Sequence, residues 1–126
     1  MTTLRVGIAG YAQSKARTMA IARGELKPGR GAPKVWFPST ESLARVLSNR
    51  NRSILEAIRK TRPQSISELA EETGLKAATV SRAVRTLAQY GLLTVRHAQD
   101  GRVVPRVPYS RLTVAIEFAA SSVAQA

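Results

Sequence analysis

The chain has 126 residues, with 20 Lys and Arg against 8 Asp and Glu, and a formal net charge of +12. This length fits one domain with a core and an appendage. The charge favours a polyanionic partner, because a protein that neutralises phosphates releases condensed counterions. The absence of cysteine excludes disulfides and thiolate metal sites and fits a reducing cytoplasm. No apolar run reaches the roughly 20 residues that span a bilayer, so we expect a cytoplasmic protein without a membrane partner.

The first 34 residues predict a unit of their own. Alternating apolar residues predict a strand over residues 3–9, and a helix is predicted over residues 13–23. Residues 27–34, rich in Pro, Gly and positive charge, predict a basic linker. We expect residues 1–34 to act in dimerisation or as an arm.

Residues 35–118 carry the strongest periodic signals. Ser39 and Thr40 are suited to cap a helix that Arg62-Pro63 ends, with the polar run 48–51 as a candidate break. Ser65 and Glu68 form a capping box that opens a second helix, which ends at Gly74. A third helix is predicted over residues 76–90. Its apolar residues Val80, Ala83, Val84 and Leu87 share one face.

Strand signals follow the third helix. Residues 93–95 and 103–104 flank Asp100-Gly101, a dipeptide typical of hairpin turns. Residues 112–116 alternate and predict a last strand, which pairs with the first strand within or between chains. Residues 119–126 are expected to fray. The order predicts an α+β fold, a winged helix-turn-helix with an N-terminal strand–helix extension, while the alternative is a helical hairpin in a small bundle.

The third helix is the predicted recognition helix. With its apolar face inward, helical geometry turns short or basic residues outward, and no acid is among them. Short residues let a backbone approach base edges, and arginines are long enough to reach guanine or phosphate. The alternative for each cation is a solvated surface charge. The candidate DNA-contacting residues are Lys76, Ala78, Thr79, Ser81, Arg82 and Arg85.

The predicted wing adds a second set of candidates, Arg96, His97, Arg102 and Arg106. A wing can insert arginine into a minor groove, where narrow A·T-rich segments concentrate negative potential. His97 is the only histidine and has no second ligand of a suitable type nearby, so no metal site is predicted. Trp36 and Phe37 have two interpretations, stacking on bases or anchoring a core or dimer, and the second is favoured.

The helix-turn-helix and wing resemble the MarR- and ArsR-type winged-helix regulators. A second resemblance rests on residues 34–39, 47–51, 63–65, 68–70, 91–92 and 105–109. These residues are similar to small prokaryotic DNA-binding proteins of the TumA antitoxin type, which stand beside the toxin TumE. This resemblance implies a dimeric repressor that binds its own operator, and a toxin as a further partner.

The sequence therefore predicts a sequence-specific regulator that binds double-stranded DNA as a homodimer. The alternative is a non-specific architectural DNA-binding protein or a protein that binds structured RNA. Catalysis is not expected, because the chain has no nucleophile–His–acid trio, no metal cluster and no phosphate-binding Gly loop with the required Lys. No cofactor is predicted.

Overall fold

The computed structural model describes residues 2–9 and 33–116. The predicted helix over residues 13–23, most of the basic linker and the predicted tail lie outside these residues. In chain order the elements are β1 (Thr3–Ile8), β2 (Val35–Phe37), α1 (Thr40–Val46), α2 (Asn49–Thr61), α3 (Ile66–Thr73), α4 (Ala77–Gln89), β3 (Thr94–His97), β4 (Val103–Arg106) and β5 (Arg111–Ala115). The mixture of helices and small sheets confirms the α+β class.

Serine side chains begin the first three of these helices. Ser39 accepts from the Ser42 amide at 3.0 Å, and Ser48 accepts from the Asn51 amide at 3.2 Å. The second of these caps divides the helical run in two, as the polar residues at 48–51 indicate. The Asn51 side-chain amide then donates to the Val46 carbonyl at 2.9 Å and satisfies the end of α1. Each such cap stabilises a helix by about 1 kcal/mol.

The capping box at the start of α3 forms in a modified way. Ser65 accepts from the Glu68 amide at 3.1 Å, as predicted. The Glu68 carboxylate accepts from the Gln64 amide at 3.3 Å, one residue before the expected amide. At the other end, Gly74 has a φ of 73° and no neighbour within 4 Å of an added Cβ. The left-handed backbone, and not lack of space, therefore favours glycine at this turn into α4.

A three-stranded sheet joins the two ends of the described chain. Its order is β2-β1-β5, and β1 runs parallel to both neighbours. Leu4 lies opposite Leu112 in the register, so the predicted pairing of first and last strands forms within the chain. Because β1 is hydrogen-bonded on both sides, a second chain cannot add to it. The strand β2 was not predicted, since three residues are too short for a periodic signal.

One core lies between the sheet and the helices. Val6 and Phe37 are fully buried with the apolar residues of α2, α3 and α4. The Phe37 ring stacks on Tyr90 with centroids 4.7 Å apart, which excludes base stacking by Phe37 and confirms its core position. Trp36 closely covers Gly7, where an added Cβ would lie 2.5 Å from the indole. Glycine is therefore required at this point of β1.

The strands β3 and β4 form the predicted antiparallel hairpin. The Ala98 amide donates to the Arg102 carbonyl at 2.8 Å, and the Gly101 amide donates to the Ala98 carbonyl at 2.9 Å. Gly101 has a φ of 88°. The loop between Ala98 and Arg102 therefore has three residues, and the last of them, Gly101, is left-handed. This is the pattern of a type I turn followed by a bulge. The Asp100-Gly101 prediction of the turn is confirmed.

Tyr109 joins the segment after the hairpin to the end of α4. Its phenol donates to the carbonyl of Leu92. Burial raises the pKa of Tyr109 to about 12, because the ionised phenolate would lose hydration. The neutral phenol is the form that the fold holds.

Replacing Tyr109 by Phe removes this donor, and we expect the free energy of unfolding at neutral pH to fall by about 1 kcal/mol. The folded-state pKa of about 12 exceeds the ordinary value of 10.0. The contribution of the neutral phenol is therefore complete below pH 10 and is lost as the pH rises towards 12. Chemical denaturation of both proteins across this pH range should show the difference between their free energies of unfolding shrinking. Solvent screening makes this decrease smaller than the pKa shift alone would give. A gap independent of pH would contradict this assignment.

Candidate nucleic-acid interface

The outer face of α4 is a narrow polar stripe. Ala78, Arg82, Arg85 and Gln89 are all exposed, and their spacing of four, three and four residues places them in one line along the helix. The opposite line, made of Val80, Ala83, Val84 and Leu87, is buried in the core. We call the exposed set the α4 stripe. It has no acidic residue, so its two arginines project a positive field unopposed on their own helix.

The predicted residues at the edges of the α4 stripe are less accessible. Thr79 and Ser81 are half-buried, on the two flanks between the stripe and the core face. Lys76 is exposed and directly precedes the helix. The structure thus brings Lys76, Ala78, Arg82 and Arg85 to the surface, while Thr79 and Ser81 lie beside them.

The beginning of α4 differs from those of α1, α2 and α3. Its first residue follows Lys76, whose side chain makes no capping hydrogen bond. The first amides of a helix have no partner within the helix, and the helix dipole adds partial positive charge there. Because no side-chain oxygen accepts a hydrogen bond at this cap and a lysine precedes the helix, this end of α4 is suited to bind a phosphate.

The arginines of the α4 stripe have no acidic partner among the described residues. Within those residues the ion pair is that of Arg102 with Asp100, at 2.6 Å on the hairpin loop. Hydrogen bonds from Arg102 lower the pKa of the Asp100 carboxyl. Both side chains are more than half exposed, 53% and 57%. Arg102 therefore lies at the end of the hairpin loop, with its charge partly balanced by Asp100.

Arg106 has a different environment from the other predicted wing residues. Its Nη1 donates to the Pro63 carbonyl at 2.6 Å and to the Pro105 carbonyl at 2.7 Å. Burial, and then the positive charges of Arg62 and Arg96, lower the pKa of Arg106. Its guanidinium fastens β4 to the connection between α2 and α3. Arg96 and His97 are exposed on β3.

Arg62 was absent from the sequence-predicted set. It is exposed, has a φ of 50° and lies close enough to Arg106 to lower the pKa of that guanidinium. Sequence reasoning assigned Arg62-Pro63 only to a helix end, and a chain pattern cannot indicate which strand that end contacts. Arg62, Arg96 and Arg106 together form what we call the arginine cluster, at the side of the hairpin. Glu68 lies close enough to oppose the effect of these charges on the pKa of Arg106, so the positive charge of the cluster is partly balanced.

The described residues hold no group of three His, Cys, Asp or Glu side chains able to bind a metal ion. Among the same residues, no helix combines the length and apolar character needed to cross a membrane.

Comparisons with known proteins give a family and a structural neighbour. The model of the HVO_A0114 family matches residues 46–114. No curated protein sequence matches the chain. Among solved structures, the chain is similar to a crystal structure described as the predicted DNA-binding transcriptional regulator from E. coli. The identity is 20%, the match covers 79% of this chain and 85% of that one, and the TM-score is 0.46.

Arg106 and Arg102 form a matched pair of hairpin arginines for a stability test. Arg106→Gln removes the bonds to two carbonyls, and we expect the free energy of unfolding to fall by about 2 kcal/mol, as for charged hydrogen bonds. Arg102→Gln removes the same charge from an exposed loop and should change it by less than about 0.5 kcal/mol. Urea denaturation of both variants measures the difference. Equal losses would show that Arg106 has no special structural role.

Proposed function

The chain belongs to the HVO_A0114 family, whose model matches more than half of it, and we propose that it is a sequence-specific regulator that binds double-stranded DNA. In this proposal α3 and α4 form the helix-turn-helix of a winged-helix fold, and β3 and β4 form its wing. The observation that carries the proposal is the acid-free α4 stripe, which lies opposite the buried face of the helix and beside an uncapped helix start.

The α4 stripe has the residue types that read a major groove. Arg82 and Arg85 have the length and donors to bind guanine O6 and N7 or a phosphate. Ala78 keeps the helix backbone close to the bases, and its methyl can contact a thymine methyl. Lys76 and the free amides at the start of α4 bind the DNA backbone, which fixes the depth and angle of the helix. Thr79 and Ser81 contact the walls of the groove.

The hairpin supplies contacts beside the major groove. Arg96, His97 and Arg102 lie on the exposed strand and loop, where they bind phosphates or enter a minor groove. Arg102 neutralises less phosphate charge than a free arginine because Asp100 shares it. Arg106 acts indirectly in this proposal by holding β4 in position.

As a homodimer, the protein would present two α4 helices to successive major grooves of a palindromic operator, about 10 base pairs apart. If such a site overlaps a promoter, the bound protein excludes RNA polymerase and acts as a repressor. A non-specific architectural protein or a binder of structured RNA would use the same positive surface. The distinguishing feature is a specific complex that survives bulk competitor DNA.

The resemblance to TumA-type antitoxins adds a second role, the binding of a cognate toxin in the cytoplasm. It is supported by the sequence resemblance of segments such as residues 34–39 and 105–109. A toxin encoded by the adjacent gene, and a stable complex when both proteins are co-expressed, would support this role. An adjacent gene unrelated to toxins would contradict this role.

Arg82→Ala tests base reading by the α4 stripe. The parent chain is first used to select a preferred duplex from a random library. On that duplex we expect the variant to lose roughly 1–3 kcal/mol of binding free energy, and to lose discrimination at one base pair, because a bidentate arginine–guanine contact disappears. Fluorescence anisotropy with the selected duplex, a scrambled duplex and an RNA of the same sequence measures each affinity.

The control is Arg45→Ala, which removes the same charge from an exposed position on α1. It should leave the preference for the selected duplex unchanged. If Arg82→Ala weakens all duplexes equally and Arg45→Ala does not, Arg82 is a phosphate contact and the base-reading assignment is wrong. If the two variants weaken all duplexes to the same extent, Arg82 acts only through its charge and the assignment is equally wrong. If no duplex is enriched, or RNA binds more tightly, the proposed function itself is wrong.

A further inference from the structure

The edge strand β5 has an unpaired side in the described structure. The sheet order β2-β1-β5 leaves the outer side of β5 without a neighbour among the described strands. The Arg111 amide donates to the Thr2 carbonyl at 3.2 Å, so the backbone groups of Arg111, Thr113 and Ala115 point towards β1. Those of Leu112 and Val114 consequently point outward. A strand edge whose donors and acceptors are unpaired among the described residues is a template for another strand.

The exposed large apolar side chains of the described residues lie on this strand and directly after it. Val114 is 41% exposed and Ile116, directly after the strand, is 49% exposed. They alternate with Leu112 on one face of the sheet, and Leu112 packs against the core. Neither a charge nor a proline interrupts residues 112–116, whereas natural edges that stay free are usually protected in that way.

An apolar groove lies beside the start of β5. It has a volume of about 590 Å³ and lies between the sheet and the first two helices. Its apolar lining comes from Leu43, Leu47, Leu55, Tyr109 and Leu112. Arg52 and Glu56 contribute charged groups to its lining. Apolar side chains of a partner that adds to β5 would therefore meet an apolar surface.

We propose that β5 pairs antiparallel with β5 of a second copy of this chain, and that Val114 and Ile116 of each copy enter the groove of the other. A two-fold axis at Thr113 places Arg111 opposite Ala115 and Leu112 opposite Val114 of the second copy. Leu112 and Val114 have their backbone groups outward, so this register forms the hydrogen-bonded pairs that an antiparallel ladder requires. It also keeps the two Arg111 side chains from facing each other directly.

The self-complementarity of this surface identifies the second copy as the partner. Continuing the register places Ile116 of one copy opposite Ser110 of the other, and Ser110 and Leu112 both line the groove. The side chains that are exposed in one chain thus lie over the apolar surface that is open in the other, twice, as an isologous dimer requires. The inference rests on the proposed function in one respect only, because binding to a palindromic operator would require a dimer with two-fold symmetry.

Thr113→Cys tests the register directly, since the chain has no cysteine of its own. Thr113 lies on the axis as a non-hydrogen-bonded pair, where the Cα atoms of an antiparallel ladder are about 4.5 Å apart and within reach of a disulfide. Under mild oxidation without DNA, we expect the variant to form a covalent dimer on non-reducing gels. Gln99→Cys, exposed on the hairpin loop, is the matched control and should cross-link far less.

Charge insertion tests the apolar part of the interface. We expect Ile116→Asp to raise the dimer dissociation constant at least about tenfold in sedimentation equilibrium, because a carboxylate would have to enter the groove. Ile116 lies outside the strand and is half exposed, so the monomer should keep its circular dichroism and its melting. Val114→Asp should act in the same direction. If a variant keeps its circular dichroism and melting, a raised dimer dissociation constant reports loss of the interface and not misfolding.

A parent chain that sediments as a monomer at micromolar concentration would overturn the proposal. So would a dimer that both aspartate variants leave intact, or equal cross-linking by the two cysteine variants. These measurements contain no DNA. A dimer with the expected behaviour that binds no duplex would therefore reject only the proposed function, and a monomer that binds duplex would reject only this interface.

Discussion

The burial of one side of α4 fixes the properties of its other side. Val80 and Leu87 are completely buried, and Ala83 and Val84 almost so. Rotating the helix would bring these apolar side chains into water, at about 25 cal/mol for each Å² exposed. The core therefore sets the rotation of α4 and, with it, the direction of Arg82 and Arg85. The orientation of the exposed α4 stripe is therefore set by buried residues that are not part of it.

The remaining elements support this orientation from two sides. Phe37 of β2 stacks on Tyr90 at the end of α4, and Tyr109 donates to Leu92 just after it. Gly74 permits the sharp approach of α3 to the start of α4. On the hairpin, Arg106 contacts the connection between α2 and α3. The positive charges thus divide into Arg106, which is hydrogen-bonded to backbone carbonyls, and those that remain exposed.

Much of this arrangement could be predicted from local patterns. The serine caps, the apolar period of α4 and the Asp100-Gly101 turn act over a few residues, so the sequence indicates them directly. The face of α4 was correctly derived from the same period. Non-local contacts were harder to predict. No pattern around Arg106 indicates that its guanidinium contacts Pro63, 43 residues away in the chain. The three residues of β2 form a strand by pairing with β1, and their own sequence is too short to indicate it.

The position of β1 was the other feature that the sequence left open. Alternation predicted a strand but not its neighbours, and pairing within and between chains was equally compatible with it. In the structure β1 is the centre of a parallel sheet, which moves the free edge to β5. Parallel strands pair over long separations, and only the folded core determines their order. The candidate dimer surface therefore emerged from the topology.

The central claim, that the outer face of α4 enters a major groove, can be tested by thiol cross-linking. Ala78→Cys would be the only cysteine of the chain, and a duplex with a thiol tethered to cytosine N4 presents its partner on the major-groove edge. We expect a disulfide between them under thiol exchange at a defined base position, and none with Glu41→Cys on α1. A specific complex in which Ala78→Cys fails to cross-link at every tethered position, or in which Glu41→Cys does so equally, would contradict the claim.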